Sequence, residues 1–218
     1  VSTGAFLLSL LASDLARAAL CRQSYDESRA PRWQTPGLCH AFLDRDPDGT
    51  AIVTFRGTVI KDAGDWWTDL RQLPMHLDPA FGPLPGGFGS AVLSVLLRIF
   101  RELDGRTVVG FNGHSMGGAN ALIAAALWKH SGGNLGRVTA FEPPHVGRLG
   151  GLLENEEVLA TRVGIDPVPE VPILPPFHCH PVPITVLPNL ARWSAIGCHE
   201  IANVILALTA ALAAPAAA

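Results

Sequence analysis

The stretch Thr107-Val108-Val109-Gly110-Phe111-Asn112-Gly113-His114-Ser115-Met116-Gly117-Gly118-Ala119-Asn120-Ala121-Leu122 decides the fold. Its first part is β-branched and aromatic, its middle is a serine bracketed by glycines, and its end runs on through alanine and leucine to His130. The pattern predicts a strand over Arg106–Phe111, a sharp turn, and a helix over Gly113–His130. A turn this tight needs small residues two before and two after Ser115, because a Cβ there would collide with neighbouring backbone. The turn lifts the Ser115 hydroxyl off the sheet edge. It also sets the first N–H groups of the helix beside that hydroxyl, where they stabilise negative charge. Ser115 is therefore the candidate nucleophile.

Outward from this turn, strand and helix patterns alternate. Upstream, a helix is predicted over Thr3–Cys21, followed by a turn-rich stretch from Ser24 to Pro36. A strand pair follows, Leu38–Asp44 and Thr50–Arg56, joined through Asp46-Pro47-Asp48-Gly49. Residues 57–87 read as loop. Val92, Val95, Leu96 and Ile99 mark the apolar face of a helix. Downstream, Arg137–Phe141 and Val158–Ile165 read as strands, Pro167–Pro188 as irregular chain, and the residues after His199 as a last helix. Such alternation argues for an α/β fold with a mostly parallel sheet and helices on both faces.

With 218 residues the chain suits one domain spanning 1–218. A net charge of −3 and the lack of any basic run give no reason to expect nucleic acid as a partner. Cys21, Cys39, Cys179 and Cys198 contain no Cys-x-x-Cys pair, so no metal site is expected. They read as reduced thiols; Cys21–Cys39 and Cys179–Cys198 are the pairings to test. The apolar run Ala5–Leu20, broken by Asp14 and Arg17, reads as an amphipathic helix and not an intact signal peptide. Residues 201–218 are alanine-rich and read as a core or surface helix with a frayed tail, against the alternative of a membrane anchor.

A serine nucleophile needs a base within hydrogen-bond reach and an acid behind it, in the chain order Ser, Asp or Glu, His. His130 lies about four turns along the helix that Ser115 opens, too far to fold back. His199 sits late, between a turn and a helix, and is the preferred base; His180 is the alternative. Asp166 is the only aspartate after Ser115, at the end of a strand and before Pro167-Val168-Pro169. It is the preferred acid, with Glu142, Glu154, Glu156, Glu157, Glu170 and Glu200 as competitors. This chemistry needs no cofactor.

Five blocks in order give the chain a resemblance to a known family. They are Val53-Thr54-Phe55-Arg56-Gly57-Thr58, Asp65-Trp66-Trp67-Thr68-Asp69-Leu70, Gly113-His114-Ser115-Met116-Gly117-Gly118-Ala119, Phe141-Glu142-Pro143-Pro144-His145-Val146-Gly147 and Asp166-Pro167-Val168-Pro169. From Ile52 to about His199 the chain resembles the class 3 lipases, the fungal-type triacylglycerol lipases and their relatives. The resemblance implies an α/β-hydrolase fold and an ester hydrolase with an acyl-enzyme intermediate, acting on a lipid or small ester substrate. It assigns oxyanion-hole donors to Thr58 and Met116, and makes Asp69 a candidate to orient the Thr58 hydroxyl. It also places a lid over Val59–Leu70, where Ile60, Trp66 and Trp67 would face acyl chains or a lipid surface. The sequence departs from the family at Leu84-Pro85-Gly86-Gly87-Phe88, which lacks a histidine, and at His145, where an arginine is usual. Two alternatives stay open: an esterase for phospholipid or cell-envelope acyl groups, and a non-catalytic scaffold that binds lipid or a partner.

Overall fold

A computed structural model of the protein describes residues 3–35, 39–46, 49–58, 74–104, 107–171, 177–190 and 197–214. The expected lid and its residues Ile60, Trp66, Trp67 and Asp69 lie outside the described residues.

Four helices and nine strands are described. The helices are α1 (Thr3–Ser24), α2 (Gly86–Glu102), α3 (Met116–His130) and α4 (Ile201–Ala213). The strands are β1 (Trp33–Thr35), β2 (Cys39–Arg45), β3 (Ala51–Phe55), β4 (Pro74–His76), β5 (Pro83–Pro85), β6 (Val109–His114), β7 (Leu135–Phe141), β8 (Val158–Val163) and β9 (Ile184–Leu187). Seven form one sheet in the order β1-β2-β3-β6-β7-β8-β9, and β4 pairs with β5 in a separate hairpin. In that sheet β3, β6, β7, β8 and β9 run parallel, while β1 and β2 add an antiparallel edge.

Side-chain alternation along β6 divides the two faces. Val109 and Phe111 point toward α2 and α3, and Phe111 meets Trp128 at 6.3 Å between ring centroids. Gly110, Asn112 and His114 point toward α1: Arg17 lies against Gly110, Cys21 and the Arg17 carbonyl bond Asn112, and Tyr25 bonds His114. The α1 side of the central sheet therefore carries a polar network. Asn112 Oδ1 accepts from Thr139 at 2.7 Å, and its amide donates to the Arg17 carbonyl at 2.8 Å. A buried amide satisfied in this way stabilises the docking of α1; one left bare would cost about 1–3 kcal/mol.

The helices follow from their patterns. On α2 the predicted positions Val92, Val95, Leu96 and Ile99 are buried. From Gly117 to Leu127, and on to Trp128, α3 is buried on every side, so it has no polar face and no 3.6-residue alternation to read. Helix α4 packs on α1 through Val204 and Leu208. Among the described residues no helix is long and apolar enough to cross a membrane. No disulfide joins the four cysteines, of which Cys21, Cys39 and Cys198 are buried.

Four strands lie where none is predicted. Trp33–Thr35 pairs with β2 inside the turn-rich stretch, and the β4–β5 hairpin lies inside the expected loop. Strand β9 lies within the proline-dense chain, where Ile184-Thr185-Val186-Leu187 is held by pairing with β8. Strand β6 starts later than predicted and runs to His114, while α3 starts at Met116. Pairing with both β3 and β7 outweighs the weak strand propensity of glycine and asparagine there.

Candidate active site

Strand register aligns the site. Phe55 pairs with Gly113, His114 with Phe141, and Phe141 with Thr161. The residues that follow these strand ends therefore share one edge of the sheet: Arg56–Thr58, Ser115, Glu142 and the turn to Asp166. A crevice at the carboxyl ends of parallel strands is where α/β folds build ligand sites.

Ser115 has φ 59° and ψ −130°, a backbone conformation that L-residues with a Cβ rarely adopt. The glycines around it explain how the chain holds this turn. A Cβ on Gly113 would stand 2.0 Å from the Gly117 carbonyl oxygen, and one on Gly117 would stand 2.2 Å from the Phe55 carbonyl oxygen. Both obstacles are backbone, so neither can swing aside. Gly117→Ala is accordingly expected to destabilise the fold by about 3 kcal/mol or more. Urea unfolding followed by circular dichroism measures this; an unchanged midpoint would mean that the turn is not held as tightly as these contacts require.

The expected base and acid meet the serine. His199 Nε2 lies 2.7 Å from Ser115 Oγ, and His199 Nδ1 lies 2.8 Å from Asp166 Oδ2. Asp166 also accepts the Val168 N–H at 3.0 Å through Oδ1, so its carboxylate is pinned by the turn that its prolines form. These distances define the tautomer: Nδ1–H donates to Asp166 and Nε2 accepts from the serine. All three residues are buried, which strengthens these contacts relative to water.

His180, the alternative base, is placed elsewhere. Its Nε2 bonds the Pro169 carbonyl at 2.7 Å, its ring packs on His145 at 4.5 Å, and burial pushes its pKa down to about 4. The two expected oxyanion donors come together: the Thr58 hydroxyl donates to Met116 Sδ at 3.3 Å. Gly57, just before Thr58, lies against the serine, since a Cβ there would be 3.2 Å from Ser115 Cβ. Met116 opens α3, so no carbonyl one turn back occupies its N–H.

Sequence reasoning passed over His114 and Tyr25 and treated Glu142 only as a competing acid. The Tyr25 hydroxyl donates to His114 Nδ1 at 2.8 Å, and His114 Nε2–H reaches the His199 carbonyl at 2.9 Å and Glu142 Oε2 at 3.1 Å. Burial, then the neighbouring His199, holds the His114 pKa well below its ordinary value, so the ring is neutral. The readable signal was positional: His114 ends the strand that leads into Ser115, and Glu142 follows the end of the adjacent strand β7. His114, Glu142 and His199 have donor atoms within 4.8 Å of one another. Both nitrogens of each ring are already committed to hydrogen bonds, so no lone pair is left for a metal.

This fold, with a serine on a strained strand-to-helix turn, is that of an α/β-hydrolase. The model of the class 3 lipase family matches residues 52–175, and the chain belongs to that family. Among solved structures it is similar to a mono- and diacylglycerol lipase from Aspergillus oryzae, with 24% identity, a TM-score of 0.59 and coverage of 70% of this chain and 60% of that one. It is also similar to a Rhizomucor miehei lipase–propeptide complex, with 18% identity, a TM-score of 0.58 and coverage of 95% and 80%. A third is a mutant of MDLA from Penicillium cyclopium, with 20% identity, a TM-score of 0.55 and coverage of 74% and 64%. The chain thus spans less than two thirds of the Penicillium cyclopium and Aspergillus oryzae proteins. No curated protein sequence matches it.

Proposed function

We propose that the protein is a serine ester hydrolase that cleaves lipid esters through an acyl-enzyme intermediate. The observation that carries this reading is the position of His199, bonded to Ser115 on one side and Asp166 on the other. Ser115 Oγ attacks the ester carbonyl as His199 Nε2 takes its proton. Asp166 stabilises the imidazolium, and the backbone N–H groups of Met116 and Thr58 receive the oxyanion. His199 then returns the proton to the leaving alcohol. In the second half, a water gives a proton to His199 as it attacks the acyl carbonyl; the bond to Ser115 Oγ breaks, His199 returns that proton to Oγ, and the acyl group departs as the acid.

Family membership and the apolar residues of the expected lid segment support lipid esters as the substrate class. Hydrolysis of nitrophenyl esters of increasing acyl length, with and without an emulsified interface, tests the reading, together with fluorophosphonate labelling of Ser115. Absence of both hydrolysis and labelling would leave the chain a binding scaffold.

The Thr58 hydroxyl has a soft, weak acceptor in the Met116 sulfur, so it is free to turn toward a charged oxygen. Thr58→Val keeps the backbone N–H and removes that donor. Acylation is expected to slow by about 10- to 1,000-fold with substrate binding nearly unchanged. Single-turnover kinetics measure this; an unaltered rate would leave the backbone as the sole donor at this position.

A further inference from the structure

Two buried carboxyl groups, Asp166 and Glu142, face the same imidazole nitrogen. His199 Nδ1 lies 2.8 Å from Asp166 Oδ2 and 3.7 Å from Glu142 Oε2. Both carboxyls are sealed from solvent, and among the described residues no lysine or arginine pairs with Glu142. The groups facing the Glu142 carboxyl are Asp166 after β8, His114 at the end of β6, and His199 and Cys198 before α4; Tyr25 of the α1 end stands behind His114. Only one unit of positive charge ever forms here, on His199 during turnover. Two adjacent carboxylates in such a site cannot both be ionised, so one holds a proton.

We propose that Glu142 is a positioning residue that stays protonated and donates its proton to Asp166, fixing the acid behind His199. This rests on the reading of Ser115, Asp166 and His199 given above. Hydrogen bonding decides which carboxyl is neutral. Asp166 already accepts two donors, the Val168 N–H at 3.0 Å and His199 Nδ1–H at 2.8 Å, which favour its charged form. Glu142 accepts more weakly: one long bond from the Val163 N–H at 3.3 Å to Oε1, and at Oε2 a share of the His114 Nε2–H at 3.1 Å. The neutral His114 has one hydrogen on Nε2, and its shorter contact is to the His199 carbonyl, 2.9 Å against 3.1 Å to Glu142 Oε2. The hydrogen bond between the Glu142 and Asp166 side chains needs a proton, and the less well solvated Glu142 carries it. Burial, and after it the charge of Asp166, raise the Glu142 pKa well above the usual carboxylate range. The backbone agrees that the side chain is placed with purpose. Glu142 has φ 54°, a conformation that favours glycine, so the chain bears local strain to keep a carboxyl there.

The test compares wild type, Glu142→Gly and Glu142→Gln. Glycine suits the positive φ and removes the whole side chain, carboxyl included; glutamine keeps that side chain's length and shape. We expect Glu142→Gly to lose about 10- to 100-fold in kcat with KM within about twofold, the loss of one hydrogen bond to a charged acid. Glu142→Gln restores most of that loss, because its amide still donates to Asp166. The acid limb of its kcat/KM profile coincides with that of wild type, since one neutral group replaces another. In wild type, infrared spectroscopy shows a protonated carboxylic-acid band at neutral pH that is absent from Glu142→Gln. Three results would each overturn the proposal: no such band in folded wild-type protein, full activity in Glu142→Gly, or an acid limb lowered by about one pH unit or more in Glu142→Gln, as loss of an anion beside His199 requires. Fluorophosphonate labelling of wild type keeps the two readings apart. A failure to label would sink the serine mechanism, while the infrared band reports the proton on Glu142 whether or not the protein turns over.

Discussion

Ser115→Ala is expected to abolish ester hydrolysis, with a loss on the order of 10⁶-fold in kcat. The substitution removes one hydroxyl and keeps the Cβ that already sits at φ 59°. It therefore adds no new strain to the turn. The bonds that hold the turn are made by backbone: Ser115 N–H to the Phe141 carbonyl at 2.9 Å, and the Gly118 N–H to the Ser115 carbonyl at 2.8 Å. Neither involves the hydroxyl, so the melting temperature is expected to stay within a few degrees of wild type. What disappears is the only atom that can form the acyl-enzyme. Fluorophosphonate labelling should vanish with activity. A Ser115→Ala protein that retained more than a few per cent of the rate would move the nucleophile elsewhere.

Replacing the base carries the second-largest effect. His199→Ala is expected to reduce kcat by several orders of magnitude, and Asp166→Asn by somewhat less, about 10⁴-fold. The imidazole lies 2.7 Å from Ser115 Oγ, placed to take its proton. Asp166 acts through that ring: it sets the tautomer and balances the imidazolium, so its amide leaves a correctly placed but wrongly protonated base. Because the three act as a unit, adding Ser115→Ala to either variant should lower the rate little further. His180→Ala provides the contrast. Its ring is tied to Pro169 and His145, away from the serine, and its loss should leave most of kcat. A dead His180→Ala enzyme alongside an active His199→Ala enzyme would transfer the base to His180.

Much of this architecture was written locally. The Gly-x-Ser-x-Gly turn could be read because backbone crowding there admits glycine at Gly113 and Gly117 and little else, so the constraint shows in residue type. Helix α2 was legible for a similar reason: it has one buried face, and burial of one face imposes a 3.6-residue rhythm. Helix α3, buried all round, has no such rhythm and was readable only from its composition and from the turn before it. Asp166 and His199 could be named from chain order and their places at a strand end and before a helix. Their 2.8 Å contact is a property of two loops meeting over the sheet edge, which no local pattern encodes.

The elements that sequence reasoning missed share a cause. Strand β1, strand β9 and the β4–β5 hairpin are only three or four residues long and lie among prolines and turn residues. They are strands because a neighbour offers them backbone partners, and pairing is a tertiary event. Glu142 and His114 belong to the same class. By sequence, one is a glutamate before two prolines and the other an unremarked residue beside the nucleophile. Parallel register aligns His114 with Phe141, and so brings Glu142 into the space behind His199. By itself the sequence determined the glycine-flanked turn at Ser115, the alternation of strands and helices, and the family, because each depends on residues close together in the chain. Only the tertiary structure decided that a second buried carboxyl lies beside Asp166 and His199, because the surroundings of Glu142 depend on burial and on groups 28 and 24 residues away, His114 and Asp166, that folding alone brings within reach.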